Sequence, residues 1–210
     1  MVTHLVLDIG RDKQFSASAI VIEHCIQAAV YGEEHLAENF ELKKARGALQ
    51  VYNAIVEAES ILHVMGHASA DGKILSNRRQ FFGQREFDIA DLVDYLIEAN
   101  EGIQPDLIYL DACSTGSETW LDKIESILMP RHRILVIATN KDVPFGIADY
   151  FSQTFYLSLL SKPYPASRAK RRERITQAFN FADHATVQAS HQNSYFKLVE
   201  LRGYDSPDND

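Results

Sequence analysis

Residues 105–117, PDLIYLDACSTGS, decide how the chain reads. A proline fixes the entry, an unbroken apolar run of strand length follows, and Gly116 with Ser117 makes the turn out, which is how a strand buried on both faces looks. Three other runs have this form: Thr3 to Ile9, Ser60 to Gly66, and RILVIAT at 133–139. Longer stretches of helical period lie between them. They are a helix from about Ser16 to Gly32 with Ser16 or Ser18 as N-cap, and Ala48 to Ala58 with Leu49, Tyr52, Ile55 and Val56 on one face. IADLVDYLIEAN follows, capped by Asp88, then TWLDKIESILM, Phe145 to Leu160, and Arg168 to Asp183. Asn39 to Ala45 reads as a short edge strand, Ala70 to Glu86 as a hairpin or excursion, and SYFKLVEL as the last strand. The alternation predicts an α/β fold, one domain of about six mostly parallel strands sandwiched between helices. Residues 1–203 form that domain, and 204–210 read as a disordered acidic tail.

The composition narrows the function classes. Acidic side chains number 29 against 21 basic, a formal charge of −8, which repels phosphate backbones and anionic lipid, so neither nucleic acid nor membrane is an expected partner. No apolar run reaches the roughly 18 residues of a membrane span. The opening MVTHLVLDIGRD meets an acid too soon for a secretory signal. Two cysteines make no disulfide framework, and a cytoplasmic location is expected. Cys25, in the apolar stretch of the first helix, reads as core.

In an open parallel sheet, reactive side chains collect just past the carboxyl ends of strands. Two strand ends here carry them: ILHVMGHAS delivers His67, and LIYLDACSTG delivers Cys113, 46 residues later. A general base and a good nucleophile on adjacent strands would share one substrate carbonyl. Asp111 precedes Cys113 by two, so period-two alternation points both toward one face. His63 and His67 have a metal-like spacing but lie on a strand without the metalloprotease glutamate, so no metal is expected. Thr139-Asn140-Lys141-Asp142 looks like a guanine-specificity loop, yet no phosphate-cradling loop accompanies it. The cluster Arg168, Lys170, Arg171, Arg172 and Arg174 reads first as a solvated helix start, and second as an acidic-partner or self-cleavage site.

These residues, in this order and placement, resemble the caspase-like cysteine peptidases, and most closely the CHAT branch, over Leu5 to about Val199. The features that carry the resemblance are Gly66-His67, the Asp71-Gly72 turn, Ala112-Cys113 with Ser114 and Gly116 behind, and the helix with Phe151, Phe155 and Tyr156. It implies a cysteine endopeptidase with no cofactor, acting on protein or peptide substrates and open to a regulatory protein partner. Cys113 would be the nucleophile and His67 the acid/base, with the N–H groups of Ala68 and Cys113 forming the oxyanion hole. Asp111 matches the metacaspase position that binds Lys or Arg, and Asp8 is a candidate second acid, so cleavage after Arg or Lys is expected. Where such peptidases have glycine after the histidine, this chain has Ala68, which keeps its N–H but takes positive φ only at a cost. A requirement for glycine geometry would leave a catalytically degenerate interaction module. Another cysteine-dependent hydrolase of small amides or esters is the third alternative.

Overall fold

The computed structural model describes residues 4–8, 13–29, 40–44, 48–75, 86–91, 96 and 102–204. In chain order the elements are β1 (His4–Asp8), α1 (Lys13–Ala29), β2 (Phe40–Lys44), α2 (Ala48–Glu57), β3 (Ile61–Met65), β4 (His67–Ala68), β5 (Lys73–Leu75) and β6 (Glu86–Asp88). A 3-10 turn at Ile89–Asp91 precedes β7 (Leu107–Asp111), α3 (Glu118–Ser126), β8 (Arg133–Thr139), α4 (Phe145–Leu159), α5 (Arg168–Ser190) and β9 (Phe196–Arg202). Six strands form the main sheet in the order β2-β1-β3-β7-β8-β9, all parallel except β9, which runs antiparallel to β8. β4, β5 and β6 make a small antiparallel sheet beside it.

Strand alternation splits the apolar residues into two cores, one on each face. Leu62, Val64, Ile108, Leu110, Ile134 and Val136 face α2, α3 and the small sheet. Ile61, Met65, Leu107, Tyr109, Leu135 and Ile137 face α1, α4 and α5. β3 and β7 are buried at every position, which is why their sequences read as unbroken apolar runs.

At the amino ends of the strands lies an ionic clamp. Asp106, only 2% exposed, accepts from Arg168 Nε at 3.0 Å and from Arg171, both on the first turn of α5. Glu200 on β9 pairs with Arg172 at 2.7 Å and Arg133 at 3.6 Å. The basic cluster is therefore more than a solvated helix start: three of its arginines tie α5 to the sheet.

Several boundaries differ from the sequence reading. α1 begins at Lys13, so neither Ser16 nor Ser18 is its N-cap; both lie inside the helix, Ser18 buried. Cys25 is half-buried rather than core. Leu49 is 70% exposed, and α2 packs through Val51, Ala54 and Ile55 instead. α5 continues to Ser190, seven residues beyond the expected stop at Asp183. Most of the 89–100 helix and the tail beyond Tyr204 lie outside the described residues.

Candidate active site

β3 and β7 are neighbours in register, His63 opposite Tyr109 and Met65 opposite Asp111, and the Gly66 N–H donates to the Asp111 carbonyl at 3.3 Å. The chain leaving each strand therefore departs from the same place. One departure carries His67, the other Ala112 and Cys113, and all three line a cavity of about 150 Å³. That volume suits one side chain, being close to a cavity that accepts benzene. Asp111 also lines it. Gln14 and Phe15 of α1, Val143 in the following loop, and Phe145, Ala148 and Asp149 of α4 complete most of the wall. Asp8 is in register with Met65 on β1, placing its backbone one strand from β3 and two from β7.

The loop after Cys113 is fixed from beneath. Thr139 Oγ1 donates to the Ala112 carbonyl at 2.6 Å and Thr115 Oγ1 to the same oxygen at 3.1 Å. The Gly116 N–H donates to Thr139 O at 2.9 Å, an approach so close that a Cβ there would sit 2.8 Å from that oxygen. Ser114 takes a left-handed φ of 60°, unusual outside glycine and of a kind that collects where a surrounding scaffold holds a reactive group. Ser117 then caps α3, its side chain accepting from the Trp120 N–H.

His67 is held through a hairpin. The Ser69 N–H donates to Lys73 O at 2.9 Å and the Gly72 N–H to Ser69 O at 3.3 Å, with Gly72 at φ +88°, which is the three-residue loop whose last position favours glycine. Hydrogen-bonded pairs alternate along an antiparallel ladder, so the Ala68–Ile74 pair next to Ser69–Lys73 is of the other kind. The Ala68 N–H is consequently directed away from β5. Ala68 has no left-handed φ, so the alanine is unstrained where glycine was expected. The hairpin is fastened to α3 three times. Ser117 Oγ donates to Ala70 O at 2.9 Å, Trp120 Nε1 to Ser69 O at 2.7 Å, and Lys123 Nζ to Asp71 O at 2.9 Å. Lys123 also pairs with Asp88 at 2.7 Å. The helix that follows Cys113 thus holds the loop that follows His67.

Phe15 meets the His67 ring edge to face at 5.1 Å and Phe145 at 5.6 Å. Burial pushes the Cys113 thiol up; the Val143 backbone pulls it down, and the Asp142 carboxylate raises it again by charge and by hydrogen bonding. Asp111, 8% exposed, is engaged from behind: Ser152 Oγ donates to its Oδ2 at 3.4 Å, and His63 Nε2 lies 3.6 Å from the same atom. His63 itself is fully buried, stacked on Tyr109 at 4.0 Å, with Tyr156 OH 3.0 Å from Nδ1. Asp149 was not singled out by the sequence, and Asp142 stood out only within the Thr139-Asn140-Lys141-Asp142 string; each reaches the site through tertiary packing.

The mostly parallel sheet flanked by helices is a caspase-like α/β fold. Its sequence matches no family model and no characterised protein. In three dimensions it is similar to the Arg-specific cysteine proteinase gingipain R, with a TM-score of 0.58 at 10% identity over 95% of this chain and 46% of that one. The complex of the pro- and mature domains of RgpB from Porphyromonas gingivalis gives the same score and identity over 95% and 47%. A secreted C11 cysteine protease from Bacteroides thetaiotaomicron, bound to an irreversible peptide inhibitor, gives 0.54 at 13% over 87% and 58%. The chain spans about half the length of these proteins. Among its described residues no helix is long and apolar enough to cross a membrane.

Proposed function

We propose that the chain is a cysteine endopeptidase working through His67 and Cys113. The observation that carries this is their convergence on one side-chain-sized cavity, at the carboxyl ends of adjacent parallel strands, in a fold shared with cysteine proteases. Cys113 Sγ attacks the peptide carbonyl carbon, and the thiol proton ends on His67. The oxyanion that forms lies against the N–H groups of Ala68 and Cys113. His67 then protonates the leaving amine as the C–N bond breaks, and afterwards takes a proton from the water that hydrolyses the thioester. The chemistry requires no cofactor. Asp111, lining the same cavity, favours a basic residue before the scissile bond, with Asp8 a second acid on β1; Asp111→Ala then loses discrimination and raises KM for basic peptides. Within the caspase-like group we place the chain nearest the CHAT branch, on the residues around Gly66-His67 and Ala112-Cys113. The two unpaired cysteines fit a reducing, cytoplasmic setting.

One observation favours a second reading. A thiol raised by burial and by Asp142 is a poor resting nucleophile, as expected of a degenerate interaction module. A peptide-library cleavage profile separates the two. Cleavage after Arg or Lys, lost in Cys113→Ala, supports the peptidase; absence of cleavage with an intact fold supports the module, and preference for Asp or apolar residues removes Asp111 from the specificity pocket.

A further inference from the structure

The cavity beside Cys113 holds two carboxylates that differ in how they are supported. Asp111 is nearly buried and is approached from behind by Ser152 and His63. Asp149, one turn into α4, is half-buried, and among the described residues it accepts a hydrogen bond from Ser18 Oγ on α1. Among the described residues, no lysine or arginine lines the cavity. Elsewhere in this protein the acids that leave water receive cations: Asp106 has two arginines, Asp88 has Lys123. A carboxylate withdrawn from water without a cation is costly, so such groups are normally paired. Burial pushes the Asp149 carboxyl up, and Asp111 adds to the shift, while the Ser18 hydrogen bond opposes both. Around it Phe15, Val143, Phe145 and Ala148 form an apolar sleeve, the surrounding that the methylene stem of a long basic side chain needs.

We infer that Asp149 is a further specificity-determining residue, one that pairs with the cationic side chain of a basic substrate residue lodged beside Cys113. The inference rests on the peptidase reading above and assigns the role within it. Asp149 supplies the open carboxylate, Ser18 positions it by occupying Oδ1, and Asp111 forms the wall behind and adds negative potential. The three sit on α4, α1 and β7, so the pocket exists only where those elements pack together.

The test reads binding without turnover. Cys113 is alkylated with a tripeptidyl arginyl chloromethyl ketone and with its norleucyl counterpart, the modified residue is mapped by mass spectrometry, and the ratio of the two rates is compared between variants. The natural chain labels at Cys113 with the arginyl reagent at least tenfold faster, and Asp149→Asn lowers the ratio at least tenfold. Ser18→Ala, which keeps the carboxylate and frees it, lowers the ratio by less; it carries the test if Asp149→Asn does not fold. An unchanged ratio in the folded variants overturns the assignment while leaving the dyad intact. Equal rates for both reagents in the natural chain overturn basic specificity altogether. Absence of labelling at Cys113 by either reagent overturns the peptidase reading and this inference with it.

Discussion

The two ends of the main sheet treat buried charge in opposite ways. At the amino ends, Asp106 is 2% exposed and held by Arg168 and Arg171, while the exposed Glu200 beside it pairs with Arg172 and Arg133. At the carboxyl ends, Asp111 and Asp149 face a cavity that, among the described residues, no lysine or arginine lines, next to a thiol whose pKa burial and Asp142 push up. Scaffold and sheet are the same at both ends, so the difference lies in side chains. One end closes its charges against each other, as an element built for stability does. The other leaves them open to something that arrives, at a cost to stability.

The sharpest way to break this comparison is to remove the reactive pair. On the proposed mechanism, Cys113→Ala and His67→Ala each should lower peptidase activity by about 10³-fold or more, with circular dichroism and the unfolding midpoint little changed, because each deletes one member of the proposed dyad. Full cleavage by either variant would sink the mechanism. Cys25→Ala, at a half-buried helical position, should leave activity alone.

The reverse experiment acts on the other end. Asp106→Ala strands two guanidiniums; breaking a fully buried pair costs roughly 3 to 5 kcal/mol, and the partial exposure of both arginines brings the expected loss to about 2 to 3 kcal/mol in urea unfolding. Alkylation of Cys113 should proceed at its usual rate in the folded variant. A slowed rate would mean that the two ends are coupled.

Asp142 offers a finer probe. Its carboxylate raises the Cys113 thiol, so Asp142→Asn lowers the thiol's pKa, increases the thiolate fraction near neutral pH, and should speed alkylation of Cys113 several-fold while Cys25 is unaffected. A slower or unchanged rate would show that the carboxylate does not govern this thiol.

The smallest effect concerns His132, which burial and the neighbouring Arg168 hold below its ordinary value of 6.5, its Nε2 lying 3.1 Å from the Pro105 carbonyl. A depressed histidine stabilises the fold above the unfolded-state pKa of about 6.5, and this contribution is lost as pH falls through the lower folded value. Stability measured between about pH 7 and 5 should therefore decline less steeply in His132→Gln. An identical slope would assign the decline to other groups.

Much of the fold was legible in the sequence because strands buried on both faces have no polar alternation to obscure them. RILVIAT occupies β8 from first residue to last, and His67 and Cys113 stood out because each follows such a run. The misreadings come from places where tertiary contact outweighs local pattern. Ser18 resembles a helix cap, yet it is buried within α1 and donates to Asp149, 131 positions away. Leu49 fits an apolar face by period but looks outward, since α2 meets the sheet through Val51, Ala54 and Ile55. Ala68 stands where the family pattern has glycine, and the hairpin register shows what the sequence does not, that its backbone has no left-handed φ. Asp149 carries no local signature.

The fastening of the His67 hairpin to α3 has a consequence in time as well as in space. Trp120 reaches Ser69 across 51 residues of chain, and Ser117 reaches Ala70 across 47. Contacts of such separation cost more loop-closure entropy than local ones. A growing polypeptide that has made the hairpin but not yet α3 carries His67 on a hairpin without these fastenings. On the peptidase reading, an ordered His67 then waits for α3 to be made and packed.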